Sequence, residues 1–160
     1  MAILFRALTY ATLFIGLLLV FVPQQILEEA GIRRPPRLGP IELAGVLVLV
    51  AGAGLAIACV FTFALVGRGT PAPFDPPRRL VVAGPYRWVR NPMYLGAGLV
   101  LLGAALFYGS IGLVLYTVAF WSAAHLFVLF YEEPALRRRF GPDYEEYARS
   151  RRRWIPRWRS

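Results

Sequence analysis

Apolar residues in this chain come in four long runs, separated by polar, proline-rich or glycine-rich breaks. The first runs from about Ile3 to Val22 with one charge, Arg6, inside it. The second runs from Ile41 to Val66 with Glu42 at its edge, the third from Met93 to about Tyr108, and the fourth from Ile111 to Tyr131. A helix needs about 20 residues to cross the hydrocarbon core of a bilayer, so the first, second and fourth runs are long enough to span. The third is shorter. Only Gly109 and Ser110 separate it from the fourth, which predicts a tight helical hairpin. The pattern therefore predicts an all-α fold, an integral membrane helical bundle of about four transmembrane helices with a cytoplasmic C-terminal helix.

Composition agrees with the pattern. Of the 160 residues, 58% are hydrophobic and 17% charged, more apolar and less charged than an ordinary soluble domain. The apolar stretch from Ala7 to Val22 is longer than a signal-peptide core, and no small-x-small cleavage pattern follows it before Pro23. It reads as a retained span. The lone cysteine, Cys59, lies inside the second run and reads as a small buried residue. With one cysteine there is no intramolecular disulfide and no cysteine-based metal site, and no metal motif accompanies it. The second run is rich in small residues (Gly45, Ala51, Gly52, Gly54, Ala56, Ala58), which permit close packing between spans and leave a homodimer open.

The net charge is +9, and all 18 basic residues are Arg. Residues 67–91 carry Arg68, Arg78, Arg79, Arg87 and Arg90 against Asp75 alone, and the tail after Tyr131 carries nine Arg. Four spans place the N-terminus, the 67–91 loop and the tail on one side, and the arginine bias makes that side cytoplasmic. Arg33, Arg34 and Arg37 in the first loop run against this, offset by Glu28 and Glu29. No nucleic-acid motif accompanies the charge, so the partners expected are the membrane and a lipophilic small molecule or lipid, not nucleic acid. Charges are absent from the span centres, which disfavours a transporter.

Three stretches could carry chemistry. In Gly84-Pro85-Tyr86-Arg87-Trp88-Val89-Arg90-Asn91-Pro92-Met93-Tyr94, Asn91-Pro92 reads as a helix start with Asn91 as N-cap. Its free amides and positive dipole suit a carboxylate or phosphate, and Tyr86 and Tyr94 could face a cation with their rings. Interfacial anchoring of a span explains the same residues. Glu132-Glu133 ends the fourth run. His125, the only histidine, lies seven residues before Glu132, on the same helical face. Glu133 precedes Pro134, and pairing of the two carboxylates with Arg137 and Arg138 is the bland alternative. The third stretch is the tail, where Tyr144 and Tyr147, three residues apart, would point toward the membrane and the following arginines toward anionic headgroups.

Together these residues resemble one family. Arg90-Asn91-Pro92-Met93-Tyr94-Leu95-Gly96 is similar to the R-[HN]-P-x-Y-x-G motif of the isoprenylcysteine carboxyl methyltransferase and phospholipid methyltransferase group. Glu132-Glu133-x-x-Leu136 followed by Phe140-Gly141-x-x-Tyr144-x-x-Tyr147 resembles that group's C-terminal pattern. The resemblance covers about residues 68–156. It implies S-adenosylmethionine as cofactor, in a single domain over 1–160 with N-terminal spans in 1–66 and the cofactor-binding core in 67–160. Carried over, Tyr86, Asn91, Pro92, Met93 and Tyr94 would line the cofactor. Arg78, Leu80 and Val81 would close over it, and Glu132 and Glu133 would meet its polar end. Arg90 and His125 are the candidate catalytic residues, His125 as the base where the acceptor loses a proton. Asn91 stands where many isoprenylcysteine members have His, and Val128 where they have Arg. The acceptor is therefore open among a prenylcysteine-like carboxylate, a lipid amine and a thiol. The alternative function is a non-catalytic membrane scaffold or accessory protein that keeps the methyltransferase fold.

Overall fold

The computed structural model describes residues 16–33, 38–67 and 79–157, and all regular elements among them are helical. A π-helical turn, Gly16–Phe21, leads into α1 (Val22–Glu29). Helix α2 (Pro40–Thr62) ends in a second π-helical turn, Phe63–Gly67. A 3-10 turn, Gly84–Arg87, precedes α3 (Pro92–Tyr108) and α4 (Ile111–Phe127). A third π-helical turn, Val128–Glu132, carries α4 into α5 (Glu133–Phe140), and α6 (Pro142–Ser150) follows. Pro40–Gly67 and Ile111–Phe140 are 28 and 30 residues long, long and apolar enough to cross a membrane, and Pro92–Tyr108 is a shorter apolar helix. A 30-residue helix is about 45 Å long against a hydrocarbon core of ~30 Å, so the arginine-bearing end of the longer one projects past the apolar layer.

Local chemistry sets the boundaries. The Glu42 carboxylate accepts the Gly39 amide at 2.8 Å, closing the start of α2 with Pro40 in its first turn. Gly109 ends α3 at φ 59°, a left-handed conformation that few other residues adopt without strain. Ser110 then caps α4, its Oγ accepting the Leu113 amide at 3.3 Å. These two residues make the hairpin that the sequence predicts. The first and fourth apolar runs do not stop at Val22 and Tyr131 as the pattern suggests, because each helix continues through a proline. Pro23 and Pro134 both follow a π-helical turn. Such a turn widens the backbone and relieves the hydrogen-bond conflict that proline creates inside a regular helix.

Helices α2 and α3 pack backbone to backbone. Gly45, Gly52 and Cys59 recur every seven residues as the buried positions of α2. Gly96 and Gly103 of α3 meet the first two. A Cβ on Gly52 would stand 2.7 Å from the Gly96 carbonyl oxygen, and one on Gly103 would stand 2.6 Å from that of Gly45. In lipid there is no hydrophobic drive to bring helices together, so van der Waals contact at this range is what holds the pair. The opposite side of α2 exposes Leu47, Val50, Ile57 and Phe61, and the π-helical turn after it exposes Leu65. An apolar helix this exposed suits lipid rather than water.

Gly52→Leu should therefore unseat α2 from α3, at about 1–3 kcal/mol or more since backbone atoms block the new side chain. Gly54→Leu, with nothing within 4 Å of its position, should be neutral. Thermal unfolding midpoints of the two variants in detergent check the contrast.

Candidate active site

The loop before α3 is folded onto the second run. Its 3-10 turn buries Tyr86 in a cluster with Cys59 and Val81, against Leu55, Phe63 and Met93. The Phe63 and Tyr86 rings meet edge to face at 5.1 Å. Burial, then the neighbouring Cys59 and Glu132, hold the Tyr86 hydroxyl well above its usual range, so it stays a protonated donor. Leu80 is half-buried. Arg78 lies outside the described residues.

One turn into α3, the Tyr94 hydroxyl donates to Glu132 Oε2 at 2.9 Å. This bond joins α3 to the π-helical turn that ends α4. Among the described residues it is the only hydrogen bond to the Glu132 carboxylate, which has room to accept several more. Tyr86, Met93, Tyr94 and Glu132 thus gather at one end of the α3–α4 hairpin.

The adjacent carboxylate faces another way. Glu133 is 4% exposed and takes Arg153 in a two-point grip, 2.6 Å to Oε1 and 2.9 Å to Oε2, with Arg90 Nη1 3.1 Å from Oε1. This corrects the pairing with Arg137 and Arg138. Glu133 opens α5 and is turned inward, while Arg137 lies on the exposed side and pairs with Glu145 at 2.7 Å.

The tail follows its arginine. The Arg90 amide donates to the Arg152 carbonyl at 3.0 Å and the Asn91 amide to the Arg153 carbonyl at 3.2 Å. Asn91 occupies the cap position of α3, but its side chain does not cap the helix; Nδ2 donates to the Arg153 carbonyl at 3.4 Å. The amides ahead of Pro92 that looked available to an anion are thus satisfied by the chain itself. The first-turn amides of Met93 and Tyr94 have no acceptor within the helix. Trp154 then stacks edge-on against Trp121 at 5.3 Å and Tyr94 at 6.5 Å, and its indole N–H donates to His125 Nδ1 at 3.1 Å. An indole N–H can only donate, so Nδ1 carries a lone pair and, in neutral His125, Nε2 carries the proton. The π-helical turn between His125 and Glu132 shifts the helical register, and the two side chains meet different partners despite their seven-residue spacing.

Tyr144 and Tyr147 do not point toward the membrane. Both are buried, and the Tyr147 hydroxyl donates to the Tyr86 carbonyl at 2.8 Å, tying α6 to the 3-10 turn. The Tyr144 hydroxyl lies 3.5 Å from Arg90 Nη1, and burial pushes it up to about 12. Sequence reasoning missed Arg152, Arg153 and Trp154 as parts of this architecture. The available signal was a tryptophan directly after three arginines, beyond the last predicted helix.

The phospholipid methyltransferase family matches the chain over residues 41–143, from the start of α2 into α6. That is well over half of the 160 residues, and it contains Tyr86, the Arg90–Tyr94 segment and both glutamates. The chain belongs to the phospholipid methyltransferase family. No curated protein sequence matches closely enough to add a named relative. Membership in the phospholipid methyltransferase family points to methyl transfer as the class of activity, and the apolar helices are those of a membrane protein of that family. The tail contacts from Arg152 onward lie beyond the matched residues.

Removing the Glu133 charge should free the tail. Glu133→Gln leaves two guanidinium groups without their carboxylate, and breaking a buried pair costs about 3–5 kcal/mol. Limited trypsin digestion should cut after Arg151 or Arg152 faster in this variant than in the parent. Equal cleavage rates would show that the tail is held by something else.

Proposed function

We propose that this protein is an S-adenosylmethionine-dependent methyltransferase acting on a lipophilic acceptor, with the Tyr94–Glu132 pair as the centre of its cofactor site. The observation that carries this reading is that pair: a carboxylate with unused acceptor capacity, bonded to one tyrosine and close to another, inside the segment that matches the family. The residues fit the group. Glu132 can accept from an amino group or ribose hydroxyls, the tyrosine faces suit a sulfonium, and the first amides of α3 suit a carboxylate. When bound, S-adenosylmethionine supplies a methyl group already activated on sulfur. The chain then has to orient donor and acceptor and keep water out. Tyr86, Val81 and Met93 form the apolar wall for that task, with Leu80 and Arg78 proposed as its cover. Asn91 and Pro92 set the start of α3, and Glu133 holds the tail beside it.

Arg90 and His125 keep the catalytic roles assigned from the sequence only as proposals. Arg90 is engaged with Glu133. His125 could take a proton on Nδ1 only once Trp154 has moved off that nitrogen. Val128, which stands where an arginine would hold an acceptor carboxylate, is 0% exposed. This apolar burial supports a lipid amine or thiol over a carboxylate. We further propose four spans, with both termini and the cofactor site on the cytoplasmic side, the arrangement that puts the arginine-rich segments there. A homodimer would use the outer small-residue side of α2 at Ala51, Gly54 and Ala58, since Gly45 and Gly52 are spent within the chain.

Calorimetry of the purified protein should show one S-adenosylmethionine site. Glu132→Ala should weaken it about tenfold or more, the scale of a lost hydrogen bond to a charged group. No binding to the parent would sink the cofactor reading, and unchanged affinity in the variant would sink the role of Glu132. Membranes incubated with labelled methyl donor should yield a labelled, solvent-extractable product. Cofactor binding without such a product would favour the scaffold.

A further inference from the structure

A cavity of about 380 Å³ lies between the end of α6 and the tail, and of the residues proposed for methyl transfer only Arg90 lines it. Five arginines line it: Arg90, Arg149, Arg151, Arg152 and Arg153. Two of them, Arg90 and Arg153, share Glu133. Arg149, Arg151 and Arg152 have no carboxylate partner among the described residues. Arg151 Nη1 reaches only the Ser150 carbonyl, at 2.9 Å. The Arg90 side chain is 10% exposed, and its Nε is buried without a hydrogen-bond partner. A surplus of guanidinium groups around one hollow, one of them with an unsatisfied buried N–H, is a poor arrangement unless an anion completes it.

The rest of the lining says what kind of anion. Trp154 and Ile155 form the apolar side of the hollow, and Ile155 is 63% exposed. Basic and apolar surfaces side by side suit an amphiphile, with its charged group among the arginines and its chains over Ile155. A free inorganic ion would need only the first of these. Guanidinium groups in number suit the several acceptor oxygens of a phosphate ester, which can take paired N–H donors from more than one arginine. Of the lining residues only Arg90 lies within the family match; those from Ala148 to Ile155 lie beyond it.

We infer that the cavity lined by Arg90, Arg149, Arg151, Arg152 and Arg153 is a binding site for the phosphate ester of an anionic membrane lipid, separate from the Tyr94–Glu132 pair. Its occupation would hold the tail against the bilayer surface. The site stands whether or not the protein transfers a methyl group.

Native mass spectrometry of the full chain in detergent, titrated with phosphatidylglycerol, phosphatidylcholine of matched chains, or inorganic phosphate, tests this. The expected result is one retained phosphatidylglycerol, favoured over phosphatidylcholine. The double substitution Arg149→Gln with Arg152→Gln, at exposed positions, should reduce that retention about tenfold or more. Arg138→Gln with Arg139→Gln, the same charge change on α5, should leave it intact. Equal loss in both double variants, or no preference for phosphatidylglycerol, would overturn the site. Inorganic phosphate bound as tightly as the lipid would overturn the lipid assignment. Unchanged circular dichroism in both double variants excludes misfolding as the cause of any difference.

Discussion

Glu133 is a carboxylate buried at the boundary between a membrane helix and the polar layer, and a lone charge there is expensive. Two arginines from distant parts of the chain meet it. Arg90 comes from just before α3, and Arg153 from after α6. Satisfying this one charge fixes three segments at once: the start of α3, the start of α5 and the tail. The backbone then adds its own bonds, Arg90 and Asn91 amides to the Arg152 and Arg153 carbonyls. With the tail so placed, Trp154 is delivered to Tyr94, Trp121 and His125. The proposed cofactor residues are thus framed by a charge cluster that does not itself need to touch the cofactor.

The apolar half of the molecule works by a different rule. Where helices lie in lipid, contact has to come from shape, and glycine gives the closest contact available. The seven-residue spacing of Gly45 and Gly52 on α2 matches that of Gly96 and Gly103 on α3. Gly96 closes the Arg90–Gly96 motif, so the same short stretch serves both purposes. Its first residues bind the tail and carry Tyr94, and its last seats α3 against α2. Cys59, next in the α2 series, extends the seam to Tyr86. The loop that carries Tyr86 is therefore packed on a rigid helix pair.

Much of this was legible in the sequence because it follows from local rules. The apolar runs gave the starts of α2, α3 and α4 to within a residue, and Gly109-Ser110 gave the hairpin. Asn91-Pro92 marked the start of α3. The resemblance marked Tyr94 and Glu132 separately, and the structure joins them by a hydrogen bond. What was not legible depends on long-range neutralisation. Nothing in the local sequence says that Glu133 prefers Arg90 and Arg153 over Arg137, four residues away, because that choice depends on which side of α5 faces inward. The continuation of helices through Pro23 and Pro134 was hidden as well, since π-helical turns leave no compositional mark. The Tyr144 and Tyr147 spacing was read correctly as one face, but that face looks at the 3-10 turn because Tyr147 finds a backbone carbonyl there.

The consecutive carboxylates show how these levels combine. Adjacent residues on a helix point about 100° apart, so Glu132 and Glu133 cannot serve the same neighbour. The π-helical turn that ends at Glu132 sets which way each one looks. Glu132 turns to Tyr94, and Glu133 turns to the two arginines. Glu133 is overcompensated, with two guanidinium groups for one carboxylate. That surplus positive charge is what allows Glu133 to be buried beside a second carboxylate at the end of the same turn. Glu132 accepts from Tyr94 at one oxygen and has acceptor capacity to spare. The arginine-rich tail thereby has a structural part of its own: through Arg153 it neutralises Glu133 and fixes the helical turn from which Glu132 reaches Tyr94.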